Sequence, residues 1–175
     1  MGAALGGIES MKSARLAADA VGLLSRRRRT LAVAESSTGG LIGHLITDVP
    51  GGSAVFLGGV IAYANRLKEQ FGVPAGMIAS HGAVSPEVAA TMATAVREQT
   101  GADYGLAVTG IAGPGGGTMA KPVGLTYVAV SSASGVVARE HTFSGTRSTV
   151  KAASAGAALE LLWEAIKRDT PARSS

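Results

Sequence analysis

The sequence predicts a three-layer α/β/α fold, in which helices cover both faces of a mixed β-sheet. Segments with helical spacing of apolar residues alternate with short apolar segments, an order typical of α/β proteins. Residues 104–108 form a continuous apolar run of the kind found in parallel strands. The last two predicted strands are joined by residues 133–135 only, and so short a connection favours an antiparallel hairpin.

The individual elements follow from apolar periodicity and from turn residues. Apolar residues recur at helical spacing from about residue 10 to residue 25 and predict the first helix. Ser85 and Pro86 mark a helix start, because serine caps the first turn and proline fits its first position. The predicted strands are residues 30–34, 59–63, 104–108, 123–131 and 136–143. The other predicted helices are residues 38–48, 65–71, 74–80, 86–100 and 147–168.

The composition indicates one compact domain. A chain of 175 residues with 46% hydrophobic residues is long enough to form one core. We expect a flexible leader over residues 1–9, a single domain over residues 10–168 and a flexible tail over residues 169–175. The absence of cysteine excludes disulfides, thiol nucleophiles and thiolate metal sites. Without a signal-peptide pattern or a long apolar run, a cytoplasmic protein with no membrane partner is expected.

Residues 26–29 are four consecutive arginines in a chain of net charge +4. Such a run could contact nucleic acid, but it also fits the end of the first helix, where cations complement the helix dipole. Nucleic-acid binding also requires a wider basic face with stacking aromatic residues, and only 4% of the residues are aromatic. We therefore favour the helix-end interpretation over a nucleic-acid partner.

Three polar stretches directly follow predicted strands: residues 35–40, 63–68 and 109–117. In open α/β sheets, ligands bind in the crevice at the carboxyl ends of the strands. The three stretches are therefore expected to line one pocket. Each has a simpler alternative: a helix cap at residues 35–40, a solvated charge at Lys68 with a half-buried Tyr63, and a flexible glycine-rich loop at residues 109–117.

A serine activated by a lysine is the chemistry that these stretches favour. A lysine can act as a base when burial or neighbouring cations lower its pKa. The three histidines, His44, His81 and His141, are too scattered for a Ser-His-Asp triad or a metal site of recognisable spacing. We expect neither a metal ion nor a cofactor.

Two further motifs are weaker. The loop at residues 109–117 could hold a phosphate through its backbone N–H groups, but it matches neither a Walker motif nor a dinucleotide fingerprint. Ser148 and Lys151 match the Ser-x-x-Lys pattern of penicillin-recognising enzymes. Because the companion motifs of those enzymes are missing, we interpret this match as chance.

Taken together, the motifs resemble one family, the CinA C-terminal domain of competence/damage-inducible proteins. They occur in the family's order and at its distances over residues 10–168. The motifs are AESSTGG (34–40), TDVPG (47–51), YAN (63–65), HGAVS (81–85), TGIAGPGGG (109–117) and KPVG (121–124).

The enzymes of this family are nicotinamide-nucleotide amidases, so the resemblance implies hydrolysis of nicotinamide mononucleotide to nicotinate mononucleotide and ammonia. It implies Ser36 as the nucleophile, with Lys68 as general base and Tyr63 orienting or relaying the proton. An oxyanion hole is expected at Thr38, Gly39 and Gly40, and a phosphate site at residues 109–117 or at Arg147. The full set of expected substrate-binding residues is Glu35, Thr38, Gly39, Gly40, Asn65, Thr109, Gly110, Gly113 and Arg147.

The chain departs from the family pattern at three places, which bear on pocket electrostatics. Ser37 replaces a common cysteine, residues 66–67 replace a Glu-Ala pair, and residues 119–120 replace acidic residues. The resemblance also implies a stand-alone form without the N-terminal domain of many members, and a homo-oligomer, for which we expect a dimer. There are two alternatives. One is a nucleotide-binding or regulatory module that has lost catalysis, against which the intact Ser, Tyr and Lys argue. The other is a DNA-associated protein.

Overall fold

The computed structural model describes residues 2–169, with the side chains of residue 7 and residues 9–169. The helices are α1 (Gly2–Arg27), α2 (Leu41–Thr47), α3 (Asn65–Gln70), α4 (Ala75–His81), α5 (Pro86–Thr100) and α6 (Arg147–Arg168). The strands are β1 (Leu31–Glu35), β2 (Phe56–Ile61), β3 (Tyr104–Gly110), β4 (Leu125–Ser132) and β5 (Gly135–Thr142). A short 3-10 helix covers Gly52–Ala54. Across residues 2–169, no helix combines the length and the apolar character needed to cross a membrane.

The strands form one mixed sheet in the order β2-β1-β3-β4-β5. Strands β2, β1 and β3 are parallel, whereas β3, β4 and β5 are joined by antiparallel pairs. The predicted mixed sheet and the predicted β4–β5 hairpin are therefore confirmed. Glu35, the last residue of β1, lies in register with Ile61 of β2 and Val108 of β3. The carboxyl ends of the three parallel strands thus meet at one edge of the sheet.

Helices cover both faces of this sheet, as predicted. The side chains of β1 alternate between the two faces, so that Leu31 and Val33 pack toward α1, α2 and α6. Ala32 and Ala34 pack on the other face, where the apolar side of α5 lies. The β1–α2–β2 crossover uses the first face, and the β2–α5–β3 crossover uses the second. The first crossover leaves the carboxyl end of β1 and the second leaves the carboxyl end of β2, at the edge of the sheet where ligands bind in such folds.

Some predicted boundaries were wrong. Helix α1 begins at Gly2 rather than residue 10, because glycine-rich residues 2–7 lack the apolar periodicity by which a helix is recognised, although they are helical here. Strand β2 starts at Phe56 rather than residue 59, because a glycine pair interrupts its pattern. The second glycine, Gly59, is needed there, since a Cβ atom would overlap the carbonyl oxygen of Val33 on β1. Helix α2 begins at Leu41 rather than residue 38. Residue 1 of the predicted leader and residues 170–175 of the predicted tail lie outside the described residues.

Two of the four consecutive arginines contact residues that are distant in the sequence. Arg27 donates hydrogen bonds to the carbonyl oxygens of Ile166 and Asp169 at the end of α6. Arg29 forms an ion pair with Asp103 at 2.6 Å. Arg27 and its neighbour Arg26 also occupy the last turn of α1, where positive charge complements the helix dipole. These contacts support the helix-end interpretation of the run.

Gly105 of β3 allows α5 to pack directly on the sheet. A Cβ atom at Gly105 would overlap the carbonyl oxygen of Ala93 and lie 2.7 Å from Cβ of Arg97. We expect Gly105→Ala to lower the free energy of unfolding by about 1–3 kcal/mol, because α5 must move away from the sheet. Urea unfolding measures the change. The control is Gly76→Ala on exposed α4, where a Cβ meets nothing within 4 Å, and which should raise stability by roughly 0.5–1 kcal/mol. Equal losses from both substitutions would contradict this account of Gly105.

Candidate active site

A cavity of about 210 Å³ lies where β1, β2 and β3 end. The three polar stretches meet there, together with the first residue of α6. The predicted site residues that line the cavity are Ser36, Tyr63, Asn65, Lys68, Thr109, Gly110 and Arg147. The convergence expected from the strand ends is therefore present, and it depends on β1 lying between β2 and β3.

Lys68 is a buried lysine, with 2% of its surface exposed. Its aliphatic stem packs in an apolar pocket that includes Ala34, Val60 and Met92. Its Nζ atom donates hydrogen bonds to the carbonyl oxygens of Ala62 at 2.9 Å and Tyr63 at 3.1 Å. Burial lowers the pKa of Lys68, because a charged amine loses its hydration there. The alternative of a solvated helix charge is therefore wrong.

The two hydrogen bonds of Lys68 are compatible with an uncharged amine. A neutral amine has two N–H groups and one lone pair, whereas an ammonium has three N–H groups to satisfy. The two carbonyl oxygens accept from two N–H groups, and the lone pair of the neutral form is then free to accept a proton. Lys68 also lines the cavity that contains Ser36. Lys68 therefore shares a cavity with Ser36 and has a pKa that burial lowers.

Tyr63 and Arg147 interact at the mouth of the cavity. Tyr63 is 57% exposed, and its hydroxyl accepts a hydrogen bond from Nη2 of Arg147 at 2.7 Å. Nη1 of Arg147 donates to the carbonyl oxygen of Gly113 at 2.8 Å. The hydrogen-bond partner of the Tyr63 hydroxyl is therefore Arg147. This contact connects α6, the loop after β3 and the segment after β2.

Ser36 begins the β1–α2 turn, which we define as residues 36–40. The N–H group of Ser36 donates to the carbonyl oxygen of Val108 at 3.0 Å and extends the pairing with β3 by one residue. Ser36 and Ser37 are 7% and 8% exposed, and both line the cavity. Because the turn leaves the sheet at Ser36, two consecutive residues face the same space instead of opposite faces.

Glu35 holds the β1–α2 turn and does not line the cavity. Its carboxylate accepts hydrogen bonds from the N–H groups of Gly40 at 3.0 Å, Ile42 at 3.1 Å and Gly43 at 2.9 Å. The side chain is 1% exposed. The predicted direct contact between Glu35 and the substrate does not fit this arrangement, because the carboxylate is already bound by main-chain donors. Its role is the alternative one, a carboxylate at a helix start.

The predicted oxyanion hole also changes. The N–H group of Gly39 donates to the carbonyl oxygen of Ser36 at 3.1 Å, and that of Gly40 donates to Glu35. Thr38 is fully buried, and its hydroxyl has no hydrogen-bond partner in the part of the chain that the structure describes. These three residues are therefore engaged in the turn or enclosed by it. Within the turn, Ser37 lines the cavity together with Ser36.

The glycine-rich loop contributes only its beginning to the cavity wall. Thr109 donates its hydroxyl to the carbonyl oxygen of Ala83 at 2.7 Å, and Gly110 lines the cavity. Gly113 contacts Arg147 instead of the cavity, and residues 114–120 are exposed. The expected phosphate cradle over residues 109–117 is thus reduced to its first residues.

Ala83 and Val84 form a wall of the cavity that reasoning from residue types missed. Lys121 tethers this wall by donating to the carbonyl oxygens of His81 at 2.5 Å and Val84 at 2.6 Å. Apolar wall residues carry no chemical signature. The available signal was that residues 81–85 and 121–124 both belong to the motifs shared with the family.

The model of the CinA C-terminal domain matches residues 13–166 of this chain. The chain belongs to the CinA C-terminal domain family. A putative competence-damage inducible protein of Moorella thermoacetica is 49% identical over 146 residues, which cover 83% of this chain and 35% of that protein. A CinA-like protein of Desulfotalea psychrophila is 50% identical over 147 residues, covering 83% of this chain and 36% of that protein. The chain thus spans about a third of the length of these curated relatives.

A solved structure of the CinA family has the same fold. The crystal structure of competence/damage inducible protein CihA from Agrobacterium tumefaciens superposes with a TM-score of 0.86 at 34% identity. The match covers 90% of this chain and 96% of that one. The mixed sheet with helices on both faces is therefore the CinA fold.

Glu35 should be important for stability as the acceptor of three N–H groups. We expect Glu35→Gln to lower the free energy of unfolding by about 1.5–3 kcal/mol, because an amide replaces a charged acceptor. Denaturant unfolding at neutral pH measures the loss. Glu98→Gln, at an exposed position near the end of α5, provides the same chemical change without buried partners. If Glu35→Gln is as stable as Glu98→Gln, the proposed role of Glu35 is wrong.

Proposed function

We propose that this CinA-family chain hydrolyses the carboxamide of nicotinamide mononucleotide and releases nicotinate mononucleotide and ammonia. The observation that carries the proposal is the cavity shared by Ser36 and Lys68, in which the lysine is buried and its pKa lowered. The choice of substrate rests on the similarity of the motifs to those of the amidases of the family. Ser36 is the nucleophile of this proposal, and Lys68 is the general base.

In the first step, the lone pair of neutral Lys68 accepts the proton of the Ser36 hydroxyl. The Ser36 oxygen attacks the carboxamide carbon, and the carbonyl oxygen takes up negative charge. The N–H group of the residue after a nucleophile is a common donor to this oxygen. In this chain that residue is Ser37, which lines the cavity. Ser37 therefore replaces the glycine amides as our choice of donor.

In the second step, protonated Lys68 returns the proton to the amide nitrogen. The C–N bond breaks, ammonia leaves, and Ser36 carries a nicotinoyl ester. Water then attacks the ester carbon while Lys68 accepts one of its protons. The C–O bond to Ser36 breaks, the serine regains its proton from Lys68, and nicotinate mononucleotide is released.

Residues at the cavity mouth bind and orient the nucleotide in this proposal. Arg147 is fixed by Gly113 and Tyr63, and its remaining N–H groups can bind the phosphate. Asn65, at the start of α3, lines the same cavity and offers an amide for hydrogen bonding. Because Tyr63 contacts Arg147, we assign Tyr63 to positioning this arginine. Its alternative role in proton relay stays a prediction.

The proposal is tested by measuring ammonia release from nicotinamide mononucleotide. We expect Ser36→Ala to lower kcat by roughly 10³-fold or more, because the nucleophile is removed. The matched control is Ser132→Ala, a buried serine at the end of β4, opposite the strand ends that form the cavity; turnover should be kept. An inert wild type that still binds the nucleotide by calorimetry would instead favour a regulatory module. Equal turnover in wild type and Ser36→Ala would exclude Ser36 as the nucleophile.

The buried amine of Lys68 should also affect stability. Because its pKa is lower in the folded chain than in the unfolded chain, the unfolded state binds more protons between the two pKa values. The stability contribution of Lys68 therefore rises with pH through this window and is lost as pH falls.

We expect Lys68→Met to abolish turnover and to remove this rise in stability. Denaturant unfolding between neutral and alkaline pH measures the rise. Lys12→Met, at an exposed lysine, should keep both the turnover and the rise. A rise of the same size in Lys68→Met would contradict the buried-amine account.

A further inference from the structure

Lys121 binds the segment between α4 and α5, which contains two residues of the cavity wall. Its Nζ atom donates hydrogen bonds to the carbonyl oxygens of His81 at 2.5 Å and Val84 at 2.6 Å. His81 is the last residue of α4, and Val84 lies two residues before the start of α5. One amine therefore bridges the two ends of this connection and fixes the residues between them.

Gly82 leaves room for this amine. It has a left-handed φ of 77°, and a Cβ atom at this position would lie 2.8 Å from Nζ of Lys121. The left-handed backbone and the close approach of the amine both favour glycine here. The segment is thus shaped to accept a lysine from elsewhere in the chain.

The bonds to this segment come from the end of β3 and from the connection between β3 and β4, residues 111–124. Lys121 is itself held in that connection, because its N–H group donates to Oγ1 of Thr118 at 3.0 Å and its carbonyl oxygen accepts from the N–H group of Thr118 at 2.8 Å. The hydroxyl of Thr109, near the end of β3, donates to the carbonyl oxygen of Ala83 at 2.7 Å. The carbonyl oxygens of the wall segment are therefore bound from one side by side chains of neighbouring origin.

The wall held in this way is the apolar part of the cavity lining. Among the described residues that line the cavity, those with purely aliphatic side chains are Ala83, Val84 and Ala112. Ala112 belongs to the same connection as Lys121. Binding pockets generally bury a ligand against apolar residues and orient it with a few polar groups. A planar ring whose amide reaches Ser36 would therefore lie against these three side chains.

We propose that Lys121 is a positioning residue for the reaction: by holding Ala83 and Val84, it fixes the wall against which the pyridine ring of the substrate packs. This inference rests on the proposed function, which supplies a substrate with such a ring. Lys121 is not among the residues that line the cavity, so it acts through the main chain of its partners. Because the ring makes the same contact in the ground state and in the transition state, the wall contributes to binding more than to the chemical step.

Steady-state kinetics with nicotinamide mononucleotide test this role. We expect Lys121→Met to raise KM roughly tenfold, because the ring loses part of its apolar contact, while kcat changes less than about twofold. Lys121→Arg keeps the charge and the N–H donors and should restore most of the loss. The control is Arg139→Met, which removes a cation paired with Glu164 at 2.5 Å. Neither residue of that pair lines the cavity, so KM should stay at the wild-type value.

A double-mutant cycle with Val84→Ala separates a positioning role from a general loss of stability. Val84→Ala shortens the wall directly and should raise KM by itself. If Lys121 acts through the wall, the double variant should have a KM close to that of Lys121→Met, because both changes remove the same contact. Additive effects on KM would overturn the proposal. An unchanged KM with a lower Tm would also overturn it, since Lys121 would then only stabilise the end of α4.

Failure of the proposed function would give a different result. If the wild type does not hydrolyse nicotinamide mononucleotide, the amidase proposal fails, and methyl NMR of alanine- and valine-labelled protein then decides the role of Lys121. Methyl order parameters of Ala83 and Val84 that fall in Lys121→Met but not in Arg139→Met would support the proposed tether. Order parameters equal to those of the wild type would exclude it.

Discussion

Three main-chain N–H groups converge on the buried carboxylate of Glu35, and this contact sets the shape of the β1–α2 turn. Glu35 is the last residue of β1, and the donors are Gly40, Ile42 and Gly43. The strand end and the helix start are thereby held at a fixed separation by a charge that also suits the helix dipole. The residues between them must pass over the ends of the neighbouring strands. Ser36 reaches the cavity for this reason.

Lys68 is a second buried ionisable residue of this region, and its role differs from that of Glu35. Its aliphatic stem lies among small and apolar side chains on the α5 face of the sheet, where Ala34 and Ala62 leave room for it. Among the described residues, the amine donates hydrogen bonds to main-chain carbonyl oxygens, which lack the charge that would restore a normal pKa. Burying Lys68 in this way weakens the fold and lowers the pKa of the amine, so that more of it is uncharged at a given pH, an exchange found at many active sites. Glu35 thus fixes the backbone of the turn, whereas the amine of Lys68 lies in the proposed active site.

Local features could be predicted from the sequence, and features that depend on sheet order could not. The cap at Ser85 was recognised because it depends on adjacent residues, and its hydroxyl accepts from the N–H group of Val88 as expected. The two open roles of Glu35 could be separated only by its contacts with α2. Likewise, Lys121 contacts Val84 across 37 residues of sequence, which spacing along the chain cannot show. The family motifs predicted that Ser36 and Lys68 belong to one site. Their common cavity follows from the pairing of β2 with β1.

The departures from the family pattern acquire physical meaning once their places are known. Met119 is fully exposed, and residues 119–120 lie outside the cavity wall, so the loss of acidic residues there acts on the surface and not on the proposed base. Leu67 packs against the core on the α5 face, and its neighbour Lys68 projects into the same core. Arg66 lies on α3 and is exposed, so its charge is at the surface. The replacement of a Glu-Ala pair therefore enlarges an apolar side chain that packs on the core beside Lys68 and adds a cation at the surface.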